Sequence, residues 1–228
     1  MDEFICSNDD TWLIVPLYNE ATVVRQVIEE ARAVFPNIVC VDDGSSDDSV
    51  IEASAGGAVV LAHPINLGQG AALQTGIEFA RAQRGAMFFV TFDSDGQHEV
   101  GDALAMVQRL RNEPYDVIVG SRFLDDRTNA GALKRAVLRL AVLFERLSTG
   151  VKLTDAHNGL RAFNREAASK FQIRQNRMAH ASEIVAQIGE HKLRYAEQPV
   201  HIKYTEYSLS KGQSLWNSVN ILTELFIK

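Results

Sequence analysis

Two groups of acidic residues, each closing a short apolar run, are the part of the sequence best suited to chemistry. Asp42 and Asp43 follow the run IVCV, and Asp93 and Asp95 follow the run MFFVTF. Side chains two residues apart in an extended segment point to the same side, so Asp93 and Asp95 have the spacing of a divalent-metal site. Their hard oxygen atoms suit Mg²⁺ or Mn²⁺, which keep open positions for phosphate oxygens.

The fold must bring these four carboxylates together if they are to act on one ligand. In an open α/β sheet the carboxyl ends of neighbouring strands meet at one crevice, where ligands bind. Acidic groups gathered there repel one another strongly unless a cation or hydrogen-bond donors offset their charge. The sequence therefore predicts an acidic crevice that requires such a partner.

A glycine-spaced segment, HPINLGQGAALQTG, follows the third predicted strand and opens a helix. Gly68 and Gly70 allow the backbone to approach a ligand, and a helix N-terminus favours anions. Leu73 stands where a dinucleotide fingerprint has its third glycine, so the segment is not that motif. Two interpretations stay open, a phosphate-facing loop and a turn capped by glycine.

Short apolar clusters rich in β-branched or aromatic residues predict the strands that carry these groups. The clusters occupy residues 12–15, 38–41, 58–61, 87–90 and 117–119. Amphipathic patterns predict helices over residues 20–34, with Asn19 as the cap, and over about 69–84 and 99–112. This alternation predicts an α/β fold with a doubly wound, mostly parallel sheet and helices on both faces.

The rhythm of strand and helix changes after about residue 121. Residues 131–148 and 214–228 each predict a long helix with an apolar stripe, and the first of these helices is also basic. Each helix is expected either to pack on the core or to lie at a membrane surface. No repeat, low-complexity tract or linker divides the chain, so we expect a single domain over residues 1–228.

The amino-acid composition limits the partners that the chain is expected to bind and the cellular compartment in which it is expected to act. The chain carries 23 Lys and Arg against 29 Asp and Glu, a net charge of −6. This balance argues against broad binding to nucleic acid, so phosphates must be held by local devices. Cys6 and Cys40 fit no metal or redox spacing, which favours a reducing compartment. The acidic N-terminus and the lack of an apolar run of ~18 residues lead us to expect a cytoplasmic protein.

Six motifs follow one another between about residues 12 and 164, namely VPLYNE, VDDGSSD, NLGQGAA, DSDGQ, GSR and DAHNGLRAF. Together they resemble the family 2 glycosyltransferases, and most closely the dolichyl- or polyprenyl-phosphate mannose and glucose synthases. The resemblance implies a GT-A (Rossmann-like) fold, a GDP- or UDP-sugar donor, Mg²⁺ or Mn²⁺, and inversion at the anomeric carbon. It divides the domain into a donor-binding half, about 1–122, and an acceptor-binding half, about 123–228.

The same resemblance gives roles to individual residues. The implied donor-binding residues are Pro16, Tyr18, Asn19, Glu20, Asp42, Asp43, Asn66, Gly70, Asp93 and Lys211. The implied metal-binding residues are Asp93, Asp95 and Gln97. The implied acceptor-binding residues are Arg122 and Arg135, and the implied catalytic residues are Asp95, Arg122 and Asp155.

The nature of the acceptor decides whether the protein must supply a base. Departure of the nucleoside diphosphate builds negative charge, which a metal held by Asp93 and Asp95 would neutralise. A phosphate monoester acceptor is already an anion, whereas a hydroxyl acceptor needs a carboxylate such as Asp155 or Glu183 to take its proton. We expect a polyprenyl phosphate reached at the inner face of the membrane, directly or through a membrane-protein partner. A glycan hydroxyl is the alternative.

Two other functional classes remain open at this point. The segment Phe92–Gly96 also resembles the nucleophile loop of Mg²⁺-dependent haloacid-dehalogenase phosphatases. A transferase fold can also serve as a non-catalytic nucleotide-binding subunit of a membrane complex, because fold alone does not fix function. The intact acid pairs, the glycine loop and Arg122 favour an active transferase.

Overall fold

A mixed β-sheet with helices on both faces is the framework of the chain, and the computed structural model describes residues 8–124, 150–176 and 179–203. Within these residues the sheet has seven strands in the order β3-β2-β1-β4-β6-β5-β7. The strands are β1 Thr11–Leu17, β2 Asn37–Asp42, β3 Val59–Ala62, β4 Phe88–Thr91, β5 Val117–Ser121, β6 Arg161–Asn164 and β7 Tyr195–Pro199. The helices are α1 Val24–Arg32, α2 Ser49–Ala55, α3 Gln69–Ala82, α4 Val100–Asn112, α5 Arg165–Lys170 and α6 His180–Glu190.

Parallel pairing dominates the sheet. It joins β1 to β2 and β4, β2 to β3, and β5 to β7, whereas β6 is antiparallel to both β4 and β5. All five predicted strands form, with shifts of one or two residues at their ends. The predicted mostly parallel α/β class is therefore confirmed.

Two apolar layers, one on each face of the sheet, hold the helices in place. One layer packs against α1, α2 and α4, and the other packs against α3, α5 and α6. Along β1, Leu13 and Val15 enter the first layer and Ile14 enters the second, and all three are fully buried. This alternation follows from the two-residue period of a strand, and it explains why the strands of the sheet are apolar on both faces.

Strand β6 lies between β4 and β5 and was not predicted. Its first residue, Arg161, pairs with Thr91 of β4 and with Val119 of β5. Because β6 runs against its neighbours, its beginning lies at the edge where β4 and β5 end. A charged residue in a four-residue strand conceals the apolar pattern by which strands are predicted.

The beginning of α1 corrects the predicted cap. The helix begins at Val24, and its N-cap Val23 makes no side-chain capping bond. Asn19 instead adopts a left-handed backbone conformation with φ of 55°. It belongs to the loop after β1, where Asn is one of the few residues that tolerate this conformation.

The predicted long helices over 131–148 and 214–228 lie outside the described residues. Among the helices that the structure describes, none has the length and apolar character needed to cross a membrane.

Candidate active site

A cavity of about 450 Å³ opens where β1, β2, β4 and β5 end and β6 begins. Nine of the predicted site residues line it, namely Pro16, Tyr18, Glu20, Asp43, Asn66, Asp93, Asp95, Gln97 and Arg122. Asp43 and Asp95, 52 residues apart in sequence, therefore face one space. This convergence is what the parallel order of the strands requires.

Asp43 connects the end of β2 to the glycine segment. Its buried carboxylate accepts hydrogen bonds from the backbone N–H groups of Leu67, at 2.9 Å, and Gly68, at 2.7 Å. His63 lies 2.8 Å from the same carboxylate. These contacts fix the loop that leads into α3, so the N-terminus of that helix borders the cavity through Gly68 and Gln69.

The structure does not place Asp42 on the cavity lining, where a donor-binding residue was expected. Asp42 is buried, it accepts a hydrogen bond from the N–H of Ser45 at 3.1 Å, and it does not line the cavity. The side chains of consecutive strand residues point to opposite faces, so Asp43 and Asp42 cannot both face the ligand space.

The loops after β1 and β2 are joined by hydrogen bonds that the sequence did not predict. The N–H of Asn19 donates to Ser45 Oγ at 2.9 Å, and Asn19 Oδ1 accepts from the N–H of Ser46 at 2.9 Å. The N–H of Glu20 donates to Ser49 Oγ at 2.8 Å. Asn19 is thus placed between the two loops instead of on the cavity wall, and its contacts leave Tyr18 and Glu20 to line the cavity.

Asp93 and Asp95 follow β4 on the cavity wall. Asp93 Oδ2 lies 2.9 Å from His98 Nε2, and Asp93 Oδ1 accepts a hydrogen bond from Gln69 Nε2 at 3.3 Å. Asp95 Oδ1 accepts from the N–H of Gln97 at 3.0 Å. The two carboxylates have different environments, because only Asp93 has a histidine partner.

The pKa values of these two acids move in opposite directions. Burial alone would raise the pKa of Asp93, but the charge and hydrogen bond of His98, with Arg161 and His180, bring it below its ordinary value. Burial raises the pKa of Asp95, and the negative charge of Asp93 raises it further. The ionised form of Asp95 therefore has too few cations and hydrogen-bond donors nearby to offset its loss of water.

This donor set fits Mg²⁺ or Mn²⁺. Mg²⁺ is usually held in proteins by one or two carboxylates together with phosphate oxygens and water, and a two-residue spacing supplies two such carboxylates. Burial, and then the negative charge of Asp93, raise the pKa of Asp95, and a bound cation would stabilise its ionised form. Gln97 also lines the cavity beside them.

Arg122 follows β5, also lines the cavity, and pairs with Asp155. Its Nε and Nη2 donate to the two oxygens of Asp155 at 2.6 and 2.8 Å, and its backbone N–H donates to Oδ2 at 3.1 Å. The Asp155 side chain is 3% exposed and that of Arg122 is 39% exposed, so the arginine borders the open space. Despite burial, the hydrogen bond and charge of Arg122 lower the pKa of Asp155.

This pairing corrects the predicted role of Asp155. An ionised carboxylate bound on both oxygens by a guanidinium is a poor proton acceptor, and Asp155 does not line the cavity. The arginine that binds both of its oxygens is Arg122. Glu183, the second candidate base, accepts hydrogen bonds from the N–H groups of Arg174 and Gln175 at 2.9 and 2.8 Å and lies outside the cavity lining.

Gly70 also differs from its prediction as a donor-binding residue. Its N–H donates to the carbonyl oxygen of Asn176 at 3.1 Å, and a Cβ at this position would overlap the carbonyl oxygen of Gln175. Gly70 is therefore needed for close packing of residues 175–176 on α3, whereas Gly68 is the glycine of this segment that borders the cavity. Lys211 and Arg135 lie outside the described residues, so their predicted roles stay predictions.

Several residues of the cavity were missed by sequence reasoning. They include Gln69, His157, Asn158, Gly159, Arg161 and His180. Arg161 is 2% exposed and donates from Nη2 to the carbonyl oxygen of Ala156 at 2.9 Å. An arginine between the apolar residues of LRAF was the one available signal, because fully buried arginines are rare without a specific partner. His180 has no comparable signal in the sequence.

His157, Arg122 and Arg161 determine the charge of this part of the cavity lining. Burial lowers the pKa of His157, and the charge of Arg161 lowers it further. His157 is therefore biased towards its neutral form, while Arg122 and Arg161 carry permanent charge. We call Asp43, Asp93 and Asp95 the acidic wall of the cavity, and we call Arg122, Arg161 and His180, with His157, its cationic wall.

Comparison with known proteins agrees with this geometry. Residues 12–171 match the sequence model of the family described as glycosyl transferase family 2. An uncharacterized protein of Methanocaldococcus jannaschii is 34% identical over 227 residues, covering 97% of this chain and 93% of the relative. The UDP-N-acetylglucosamine–dolichyl-phosphate N-acetylglucosaminyltransferase of Methanococcus voltae is 30% identical over 238 residues, covering 95% of this chain and 94% of that enzyme.

Solved structures show the same fold. Glucosyl-3-phosphoglycerate synthase from Mycobacterium tuberculosis, in complex with Mg²⁺ and uridine diphosphate, superposes with a TM-score of 0.66 at 18% identity. The match covers 91% of this chain and 75% of that one. The predicted GT-A glycosyltransferase fold is therefore confirmed. Because the family model spans well over half of the 228 residues, the chain belongs to glycosyl transferase family 2 and is an enzyme of that family, not a phosphatase.

Proposed function

We propose that this chain transfers a hexose, with inversion, from a nucleoside diphosphate sugar to a polyprenyl phosphate. The observation that carries the choice of acceptor is the wall of the cavity around Arg122. The two predicted bases, Asp155 and Glu183, lie outside the cavity lining and are both engaged by other groups of the protein. Arg122 and Arg161 line the same wall.

This arrangement suits an acceptor that is already ionised. A phosphate monoester oxygen can attack the anomeric carbon without losing a proton to the protein, whereas a glycan hydroxyl needs a free base. The planar guanidinium of Arg122 can orient phosphate oxygens, and its pairing with Asp155 limits the orientations it can adopt.

The acidic wall would hold the donor. Asp93 and Asp95, with Gln97, line the cavity and would hold Mg²⁺ or Mn²⁺. When bound, the metal supplies positive charge that stabilises the departing nucleoside diphosphate. Pro16, Tyr18, Glu20 and Asp43 also line the cavity and would hold the nucleoside.

Two comparisons support a uridine nucleotide as the first donor to test. The relative from Methanococcus voltae is named for UDP-N-acetylglucosamine and dolichyl phosphate. The Mycobacterium tuberculosis synthase was solved with uridine diphosphate and Mg²⁺. The polyprenyl chain would be presented at the inner face of the membrane, so we further propose that the single domain acts there as a peripheral protein.

The direct test offers the chain matched acceptors with Mn²⁺ and a panel of UDP- and GDP-sugars. We expect a lipid-linked sugar product with dolichyl or undecaprenyl phosphate and none with the free alcohol of the same chain length, measured by extraction and mass spectrometry. Comparable transfer to the free alcohol or to a glycan hydroxyl would contradict the proposed acceptor. Equal rates for wild type and Asp95→Ala would contradict the proposed metal-dependent transfer.

A further inference from the structure

Glu197, which lies outside the cavity lining, accepts several hydrogen bonds close to the Arg122–Asp155 ion pair. Glu197 lies on β7, and its Oε1 accepts from the N–H of Thr154 at 2.6 Å and from the Thr154 hydroxyl at 2.8 Å. The N–H of Asp155 is 3.3 Å from the same oxygen. One carboxylate oxygen thus fixes the backbone of the residue that holds Arg122.

The hydroxyl groups of Thr154 and Ser121 form a hydrogen-bonded chain that ends at Glu197. Each hydroxyl in this chain can donate its proton in only one direction. An ionised carboxylate only accepts hydrogen bonds, so the single proton of the Thr154 hydroxyl points to Glu197. Ser121 Oγ lies 2.6 Å from Thr154 Oγ1 and must therefore be the donor in that contact. Ser121 Oγ in turn accepts from the N–H of Phe123 at 3.2 Å.

These contacts reach both members of the ion pair. Ser121 and Phe123 flank Arg122 in sequence, so the hydroxyl chain fixes the turn that carries the arginine. Thr154 and the Asp155 N–H fix the carboxylate that receives its guanidinium. Both ends of the Arg122–Asp155 pair are therefore tied to Oε1 of Glu197.

Strand pairing explains how Glu197 can do this from outside the cavity. Glu197 is in register with Val119 of β5, two residues before Ser121, and the N–H of Val200 donates to the carbonyl oxygen of Ser121 at 3.1 Å. The Glu197 backbone is held from the other side, where Arg109 Nη1 donates to its carbonyl oxygen at 2.9 Å. Glu197 is thus rigidly placed, and it does not line the cavity.

We infer that Glu197 is a positioning residue for the acceptor step, which sets the orientation of Arg122 through Thr154 and Asp155. The inference rests on the proposed function, because the group that Arg122 orients is the acceptor phosphate. Charge-assisted hydrogen bonds are stronger than neutral ones, and three donors would lose their acceptor if the carboxylate were removed.

The test compares Glu197→Ala and Glu197→Gln with wild type in transfer from the donor to polyprenyl phosphate. For Glu197→Ala we expect the acceptor KM to rise roughly tenfold, with the donor dissociation constant unchanged, from the loss of hydrogen bonds to a charged acceptor. Glu197→Gln keeps an oxygen that can accept the same hydrogen bonds, so it should restore most of the loss. Glu166→Ala, which removes an exposed glutamate paired with Lys170, is the matched control and should change neither constant.

A double-mutant cycle separates positioning from general stability. In an Arg122→Ala background, Glu197→Ala should have little further effect on acceptor kinetics, because its effect passes through Arg122. Additive losses in the double variant, or an equal rise in the donor and acceptor constants, would overturn the inference. A wild-type chain with no transfer to polyprenyl phosphate would instead refute the proposed function.

A spectroscopic measurement tests the positioning without any activity. The Nε–H group of Arg122, bonded to Asp155, should give a distinct and slowly exchanging ¹⁵N–¹H resonance in wild type and in Glu197→Gln. In Glu197→Ala the resonance should shift towards that of a free arginine and exchange faster. An unchanged resonance in Glu197→Ala would overturn the inference even if the acceptor were unknown.

Discussion

The two walls of the cavity come from segments of the chain that are arranged differently. The acidic wall comes from the first four strands, each of which ends in a loop that leads to a helix, so Asp43 follows the end of β2 and Asp93 and Asp95 follow the end of β4. The cationic wall combines a strand end at Arg122, a strand beginning at Arg161 and a helix beginning at His180.

This difference shows how each wall obtains its rigidity. On the acidic wall, the carboxylate of Asp43 accepts hydrogen bonds from the backbone N–H groups of Leu67 and Gly68. On the cationic wall, the side chain of Asp155 holds the guanidinium of Arg122. Both arrangements join segments that are distant in sequence, at Asp43 through backbone groups and at Arg122 through a side chain.

The largest expected effect comes from replacing Asp95, the carboxylate whose pKa is raised. Asp95→Asn should lower the transfer rate by on the order of 10³-fold, because one of the two carboxylates proposed to hold the metal would be lost. The Mn²⁺-dependent rise in melting temperature on adding UDP-sugar should also disappear. The control is Asp48→Asn, an exposed acid of the same half, which should behave as wild type. A full Mn²⁺ response in Asp95→Asn would contradict the assignment of the acidic wall.

The cationic wall should respond in a different kinetic constant. Arg122→Ala should reduce kcat/KM for polyprenyl phosphate by about 100-fold, while donor binding stays near the wild-type value. Arg122→Lys keeps the charge without the two-point geometry, so it should recover only part of the loss. Kinetics with each substrate varied in turn provide the measurement. A loss of donor affinity as large as the loss for the acceptor would erase the distinction between the walls.

A residue at the meeting point of the two walls should have an intermediate effect. A Cβ at Gly159 would overlap Asp93 Oδ2, and the carbonyl oxygen of Gly159 accepts a hydrogen bond from Thr91 Oγ1 at 2.6 Å. Gly159→Ala should displace the Asp93 carboxylate from His98 and weaken Mn²⁺ binding about tenfold, as titration calorimetry would show. Gly101→Ala on α4, where a Cβ has no neighbour within 4 Å, is the control. Equal metal affinity in both variants would show that the walls are not coupled through Gly159.

The smallest effect is expected at an ion pair of similar geometry at the other end of β5. Hydrogen bonds from Arg194, despite partial burial, lower the pKa of Asp116 to about 2. The folded pKa lies below the unfolded value of about 3.9, so this stabilisation is complete above that value and is lost as the pH falls through about 2. Asp116→Asn should therefore flatten the dependence of stability on pH between about 4 and 2.

The same variant sharpens the comparison with the pair in the cavity. Denaturant unfolding across this pH range measures the stability, and transfer assays at neutral pH measure the function. Asp116→Asn should leave acceptor kinetics at the wild-type level, because Asp116 lies far along β5 from Arg122. Acceptor kinetics that changed as much as in Arg122→Ala would mean that any buried ion pair on this strand supports transfer.

The sequence predicts the acidic wall well for a physical reason. Its residues follow apolar runs of the length of buried strands, and parallel order brings the ends of such runs to one edge. Asp93 and Asp95 are therefore predicted together from the sequence alone. Asp42 was misplaced because the alternation of a strand end is ambiguous by one residue.

The cationic wall was only partly predictable, because its partners are distant in sequence. Arg122 was identified from a motif, but its pairing with Asp155, 33 residues away, has no local signal. Arg161 lies in a strand whose apolar pattern its own charge interrupts. The fold as a whole was predicted from the strand and helix periods, and the antiparallel placement of β6 was not, since periodicity carries no information on strand direction.

The position of β6 has a consequence for the order in which the sheet is completed. Among the described strands, β5 pairs only with β6 and β7, and both are made after it along the chain. During synthesis, β1 to β4 can associate as soon as they emerge, while β5 must wait, with unsatisfied edges, for roughly 40 more residues. A fragment ending near Arg122 would therefore lack the strand that joins β4 to β5, and it would expose both edges to association with other chains.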